Sequence, residues 1–454
     1  MNFLFKPTDI APLIFFRIAF GILAFIDVLS SYLYYHVQKD AFNPERFQFP
    51  YYGFEWVQAF PDPWMTLFFL ALLCSAVGII LGFRYRWSTT LFFLGFTYLF
   101  LLEKANYLNH GYLFCWISFL MIFLPADRAF SWDVRQGKIK PWSSTPCWPI
   151  FLLQFLMGVV YFFGGIAKIN SDWLRAMPLQ IWLPGKADVF LIGDLLKTEE
   201  VAYFMAYGGM MFDLLVIPLL IFKRTRLLAL GMAIFFHCTN ALIFNIGIFP
   251  YLSLSLTALF FAPEFPRHFL NQLADRWPKR LTFLRLPDGQ TALGAEGLPD
   301  FSWAMKQRQS IAILALMSIH ILLPLRHHLF PGSVAWTEEG HRYYWRMMLR
   351  SKAGSGVFVI EDLETGEKQR VKPKDYLSYK QERKLYTHPD MILQFAHFLQ
   401  REEEAKGKKV AIYADIQAKL NDHPKQHYID PGRDLTQIQW SMFETSDWIL
   451  EPEF

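Results

Sequence analysis

The sequence predicts a polytopic α-helical membrane bundle of about nine transmembrane helices followed by a β-rich extracytoplasmic α+β domain. Three observations carry that prediction. The 454 residues are 53% apolar and 18% aromatic but only 19% charged, and 46 Phe with 15 Trp are more than a water-facing surface can hide. Apolar runs close to the ~20 residues that cross roughly 30 Å of hydrocarbon recur through the first 325 positions. After Pro324 and Leu325 the runs stop and charges become frequent, which divides the chain into a membrane domain, 1–330, and a second domain, 331–454. An ordinary soluble globule, a disordered chain and a collagen-like chain are excluded by the same composition.

The expected spans are 10–35, 63–83, 87–103, 108–126, 147–168, 201–222, 226–245, 246–262 and 309–325, with the break near 245 the faintest. One Lys precedes the first run and no small-residue cleavage site follows it, so it reads as a retained span rather than a signal peptide. Basic residues gather after even-numbered crossings: Arg84 and Arg86, then Arg128, Arg135, Lys138 and Lys140, then Lys223, Arg224 and Arg226. The loop 263–308 adds Arg267, Arg276, Lys279, Arg280, Arg285, Lys306 and Arg308, whereas the loop 36–62 is richer in acid than base. Positive charge stays on the cytoplasmic side, so the N-terminus is expected inside and the C-terminal domain outside.

In the second domain, Gly356 to Ile360 and Gln369 to Val371 flank Thr365-Gly366 as a hairpin. Residues 388–405 have the period of an amphipathic helix ending in the acidic run Glu402 to Glu404, and Val410 to Tyr413 reads as a buried strand. The net charge of +4, from 44 basic and 40 acidic residues, is too balanced to point to a nucleic-acid partner. Cys74, Cys115, Cys147 and Cys238 lie in or beside apolar runs without zinc-like spacing, and the twelve His form no HExxH. Neither a disulfide framework nor a metal is expected, and no N-x-[ST] sequon occurs.

Ionisable groups at bilayer depth are costly, so each is either a structural clamp or a functional residue. Arg17, Asp27, Asp213 and His237 are such groups. Arg17 and Asp27 stand ten positions apart, about 15 Å along one helix, and each needs a partner on another span. The segment from Tyr161 to Trp173 places Lys168 at the outer end of the fifth span, behind aromatics and the pair Gly164-Gly165 that permits close helix approach. Lys168 either snorkels to the interface or is buried as a neutral amine, and a neutral amine is a base. Asn109-His110-Gly111-Tyr112 at the fourth span and His237-Cys238-Thr239-Asn240 at the seventh fall in the same outer leaflet. A lone His in an apolar helix is usually a satisfied core residue, but convergence of these motifs on Lys168 marks a candidate site.

These strings resemble the vitamin K-dependent gamma-glutamyl carboxylase family and its bacterial relatives with the horizontally transferred transmembrane domain. The match runs from Phe16 to Gly21 with Asp27, through Leu81 to Arg86, Asn109 to Tyr112, Gly165 to Trp173, and His237 to Gly247. It continues with Tyr344 to Met348, Asp390-Met391 and Asp430 to Leu435. The resemblance implies a lyase-type membrane enzyme that uses vitamin K hydroquinone, or a menaquinol-like quinol, with dioxygen and carbon dioxide. It would form the quinone epoxide and convert Glu side chains to gamma-carboxyglutamate.

By the same resemblance Lys168 is the catalytic base and His110 serves the glutamate carboxylation step. Asn109, Tyr112, His237 and Asn240 would line the quinone or substrate site, and the strip around Trp345 and Met348 would hold the glutamyl substrate. Arg17, Asp27 and Asp213 are read as structural polar groups. The expected partners are the lipid bilayer, a quinol and a Glu-containing protein or peptide, in a bacterial cell membrane. Arg350 stands where the animal enzymes carry a His, and the chain reaches only Phe454, short of the animal luminal region associated with propeptide docking. An epoxidase without carboxylase activity is one alternative. A non-catalytic quinone- or lipid-binding membrane protein, with Lys168 paired to Asp172 or Asp213, is another.

Overall fold

The structure, a computed structural model, describes residues 3–37, 47–189, 192–244, 246–277 and 302–453. Lys279, Arg280 and Arg285 of the inner-side charge pattern, and 38–46 of the acid-rich loop, lie outside the described residues.

A short ribbon pairs β1 (Pro7–Asp9) antiparallel with β2 (Ser144–Pro146), tying the two ends of the first helical group together. Around it stand α1 (Ala11–Val37), α2 (Trp64–Leu81), α3 (Tyr85–Leu102), α4 (Asn109–Phe123), α5 (Trp148–Ala167), α6 (Glu199–Ile221), α7 (Arg226–Ile243), α8 (Phe249–Thr257), α9 (Phe265–Arg276) and α10 (Trp303–Leu325). Six of these, α1, α2, α5, α6, α7 and α10, are long and apolar enough to cross a membrane. The expectation of nine spans is therefore met in part. With 15 residues, α4 is about 22 Å long, and with 9 residues α8 is about 13.5 Å, too short to cross roughly 30 Å alone. The faint break near 245 is real: α7 ends at Ile243, Gly247 turns the chain with φ +62°, and Pro250 starts α8.

Consecutive helices α1 to α4 pack side by side, α5 packs on α6 and α6 on α7, and α8 reaches back to α1. Gly82 ends α2 in the left-handed conformation, where a Cβ would come within 2.5 Å of Ser131 and 2.9 Å of the Arg17 guanidinium. That turn brings the inner loops onto α1.

The later domain contains β3 (Lys352–Asp362), β4 (Lys368–Val371), α11 (Tyr379–Leu385), α12 (Pro389–Glu404), β5 (Val410–Leu420) and β6 (Gln426–His427). The sheet runs β4-β3-β5-β6, antiparallel throughout, with Phe358 opposite Ala414. Val410, Ile412, Ala414, Ile416, Ala418 and Leu420 alternate inward along β5. Met391, Phe395 and Leu399, one per turn of α12, are buried in the same core. The hairpin, the amphipathic helix and the buried strand expected from the sequence all lie here. Phe49 and Ala105 also enter this core, so loops from the helical half help build the second domain.

Candidate active site

At the end of α5 the paired glycines let α6 approach closely. A Cβ on Gly165 would lie 2.8 Å from Leu214 Cδ2 and 3.1 Å from its backbone nitrogen, and one on Gly164 would lie 3.3 Å from Asp213 Oδ2. Lys168 caps α5 just beyond, and its Nζ donates to Asp213 Oδ2 at 2.6 Å and to the Gly164 carbonyl at 3.2 Å. Both side chains are buried, and the ring of Trp173 lies 5.3 Å from the amine.

In place of a lone amine, the structure therefore gives a buried amine–carboxylate pair. Asp213, read as a structural group, is the partner of the candidate base. Asp172, the other acid weighed as a partner, instead accepts from Arg175, Asn421 and the His423 ring.

The pair forms part of the wall of a cavity of about 770 Å³. Asn109 and His110 from the start of α4, Tyr161 from α5, His237 and Asn240 from α7, and Met348 from the outer domain share that wall. Phe212, Phe236, Phe244 and Phe249 make much of the rest apolar. His237 is 1% exposed, and its Nε2 lies 2.6 Å from the Tyr161 hydroxyl. Its Nδ1 is buried without a hydrogen-bond partner among the described residues, a cost that a polar ligand atom would remove.

His110 sits against the turn at Gly247, with Nε2 3.7 Å from where a Cβ would stand and Phe249 6.2 Å from its ring. Asn109 accepts from the Tyr107 hydroxyl at 2.9 Å and donates to the Arg346 carbonyl at 3.3 Å, joining α4 to the outer domain. Asn240 donates to the Phe236 carbonyl of its own helix.

Not every expected residue reaches the cavity. Tyr112 and Trp345 are buried behind the wall, 5.4 Å apart ring to ring, and support it rather than line it. Arg17 lies at the other end of the bundle and donates to the Ala126 carbonyl at 2.8 Å and the Ala129 carbonyl at 3.3 Å. Its partners are loop carbonyls, not a group on another span, because the turn at Gly82 folds that loop over it. Asp27, read as a clamp, lines the cavity and has no ion-pair partner among the described residues.

The outer end of the cavity is ionic. Arg346, Arg350, Lys384, His341 and His388 line it. They come from the segment 338–350, from α11 itself (Lys384) and from the turn after it (His388). Tyr343, Trp345 and Met348 all have positive φ, at 68°, 60° and 53°, a costly backbone for side-chain-bearing residues. The Tyr107 hydroxyl accepts from the Tyr343 N–H at 2.7 Å and helps fix the strip. Arg350 Nε donates to Glu338 Oε1 at 2.7 Å, and Lys352 stands beside the same carboxylate. Burial acts to raise the Glu338 pKa, but Arg350, Lys352 and His341 outweigh it and hold it below the usual range. Burial pushes His341 down to about 3 and Lys352 down to about 7.

Lys384 is pushed down to about 8 by burial, with Arg350 adding to the effect. Neither Lys384 nor Arg346 has a carboxylate partner among the described residues, so this end carries uncompensated positive charge. Glu338, His341 and His388 lie close enough to hold a metal ion, as do Asp172, Asp422 and His423. In the first group Arg350 already occupies both Glu338 oxygens, and the flanking cations make it a poor cation site.

The HTTM domain model matches residues 5–265, more than half of the chain, and the model of the vitamin K-dependent gamma-carboxylase lumenal domain matches residues 305–453. The chain belongs to the vitamin K-dependent gamma-glutamyl carboxylase family. No solved structure matches it. With its apolar helices and the lumenal-domain match, this family member is a membrane protein with an extracytoplasmic domain. Sequence reasoning singled out Arg350 only as a departure from the animal pattern and missed Glu338, His341, Lys384 and His388. The available signal was the density of ionisable residues from Glu338 to Lys352, but which of them face inward depends on α11 and α12 folding back over the strip.

Proposed function

We propose that the chain is a vitamin K-dependent carboxylase-like enzyme that oxygenates a reduced quinone to its epoxide and couples this to carboxylation of glutamyl side chains. One observation carries the reading: a single, mostly apolar cavity holds the Lys168–Asp213 pair, His110 and His237, and ends in uncompensated cations at the outer domain. We further propose that the chain sits in a bacterial cell membrane, with the N-terminus cytoplasmic, 1–330 as the membrane domain and 331–454 outside. The orphaned Nδ1 of His237 and the aromatic walls fit the ring and hydroxyl of a naphthohydroquinone.

When bound, reduced vitamin K supplies with dioxygen the base strength needed to remove a γ-proton from Glu, and ends as the epoxide. The chain's residues do the rest. Lys168 and Asp213 act as one unit: a proton taken from the ring hydroxyl leaves the amine cationic and the acid neutral, a net positive charge beside the developing phenolate. His237, oriented by Tyr161, positions the ring. His110 serves the glutamyl side at the Gly247 turn, Asn109 and Met348 hold the peptide while Trp345 backs the strip from behind the wall, and Arg346 and Lys384 hold carboxylate. Packed Phe side chains keep water from the reacting groups.

The test is epoxide formation by purified protein with reduced vitamin K under oxygen, beside Lys168→Ala. Product from the intact chain and none from the variant supports the reading, and equal product removes Lys168 as base. Labelled bicarbonate with a Glu peptide tests the second half, with incorporation expected to fail in His110→Ala. Epoxide without incorporation leaves a quinone epoxidase. The 2.6 Å ion pair favours one competing reading, a non-catalytic quinone- or lipid-binding protein in which Lys168 and Asp213 only clamp α5 to α6. Binding without epoxide from the intact chain would select it.

A further inference from the structure

The cavity has a side as well as an outer end. Phe204 on α6 and Phe235 on α7 line it, yet they are 66% and 63% exposed on the outside of the bundle. A side chain can do both only at an opening. Gly208, one turn after Phe204 on the same face of α6, also lines the cavity, and among the described residues no atom lies within 4 Å of where its Cβ would stand. Its neighbour Gly209 has Phe236 of α7 3.5 Å from the same point, so the helices touch at Gly209 and part at Gly208. Met232 and Thr239, one turn either side of Phe235, line the facing helix.

We propose that this gap between α6 and α7 is a lateral portal to the lipid, and that it takes the apolar prenyl tail of the quinol whose ring lies at His237 and Lys168. The inference rests on the quinol reading above and adds to it the path that the tail takes between the helices. A ligand filling both regions must be amphipathic, because the unpartnered, buried Nδ1 of His237 asks for a polar atom inside while the portal is lined by Phe, Met and Gly. The outer end cannot serve the tail, since Arg346 and Lys384 face it. The cavity therefore has two entrances of opposite chemistry: an apolar chain arrives from the bilayer and an anion arrives from water.

The test is equilibrium binding to the full chain in nanodiscs, followed by quenching of tryptophan fluorescence, with a prenylated naphthoquinone and its tailless methylnaphthoquinone parent. Gly208→Leu puts a side chain into the gap where its Cβ meets no atom within 4 Å, and should weaken the prenylated ligand at least about tenfold while leaving the tailless one within about twofold. Gly231→Leu, at an equally open position on α7 away from the cavity, should change neither. Phe235→Ala provides a second, milder variant at an exposed rim position and should weaken only the prenylated ligand, severalfold. Unchanged prenylated binding in both portal variants, equal loss of both ligands, or the same effect from Gly231→Leu would overturn the portal while tailless binding keeps the quinol reading. Competition by phospholipid for the Gly208-dependent binding would overturn the choice of occupant. No binding of either ligand to the unaltered chain overturns the quinol reading and the portal with it.

Discussion

Arg17 and Lys168 are buried cations at opposite ends of the helical bundle, and the contrast between them separates scaffold from site. Arg17, at the inner end, is 0% exposed and spends its guanidinium on the carbonyls of Ala126 and Ala129 in the loop folded over it. Lys168, at the outer end, is 6% exposed and spends its amine on one carboxylate and one carbonyl. Burial and cost are alike. The difference is space: Lys168 and its partner Asp213 border a cavity of about 770 Å³, whereas Arg17 does not. A buried charge therefore points to function when a void lies beside it, and to fold stability when packed carbonyls do.

The sharpest way to break that contrast is to remove each cation. Lys168→Ala should lower epoxide formation by about 10²–10⁴-fold, the usual share of a general base, with little change in thermal unfolding. Arg17→Met should do the reverse. It strands two buried carbonyls and should cost about 2–4 kcal/mol of stability, seen as a lowered Tm in detergent, while folded molecules keep their turnover. A Lys168 variant that merely unfolds, or an Arg17 variant that folds normally but lacks turnover, would erase the distinction.

Much of this contrast was legible in the sequence, and the missing part has a physical cause. Hydropathy placed α1 to α8 and α10 because length and apolar content are local properties, and the short apolar run Val410 to Tyr413 marked β5 in the same way. Lys168, His110 and Asn240 were placed in one leaflet by counting crossings alone. The Lys168–Asp213 pair was not decided, because Asp172 lies only four positions from Lys168 and Asp213 is forty-five away. The choice was made by Gly164 and Gly165, which bring α6 close, and by Asn421 and His423 of the outer domain, which draw Asp172 off. That Asp27 borders the cavity was not legible for a related reason: a helix position says that a charge is costly but not whether it faces a partner or a cavity.

If Lys168 and Asp213 share the proton, removing the acid should matter less than removing the amine. Asp213→Asn keeps the amide in hydrogen-bond reach but cannot receive a proton, and should slow epoxide formation by about 10–100-fold. An unaltered rate would return Asp213 to the structural role first given to it.

The smallest expected effect sharpens the contrast through pH, because buried titratable groups line the outer end of the cavity whereas Arg17 is held by carbonyls. Burial keeps His341 and His388 neutral, His341 down at about 3 and His388 far below its ordinary 6.5. Around His388, Lys384, His341, Arg342 and Arg350 push the same way, while Glu338 and Asp390 pull against the shift at His341. Below 6.5 the unfolded chain binds protons at these rings and the folded chain does not, so stability falls as pH falls. Each ring contributes up to ~1.4 kcal/mol per pH unit over that range. Glu338 and Asp390, which nearby cations hold below the carboxylate range, add to the loss only below the ordinary carboxylate values of 4.5 and 3.8. Thermal unfolding between pH 7 and 5 should therefore show a falling Tm whose slope shrinks in His388→Gln and persists in Arg17→Met. A flat profile in the unaltered chain would mean that the two histidines are open to protons in the folded state, and that the outer end is no more pH-sensitive than the inner one.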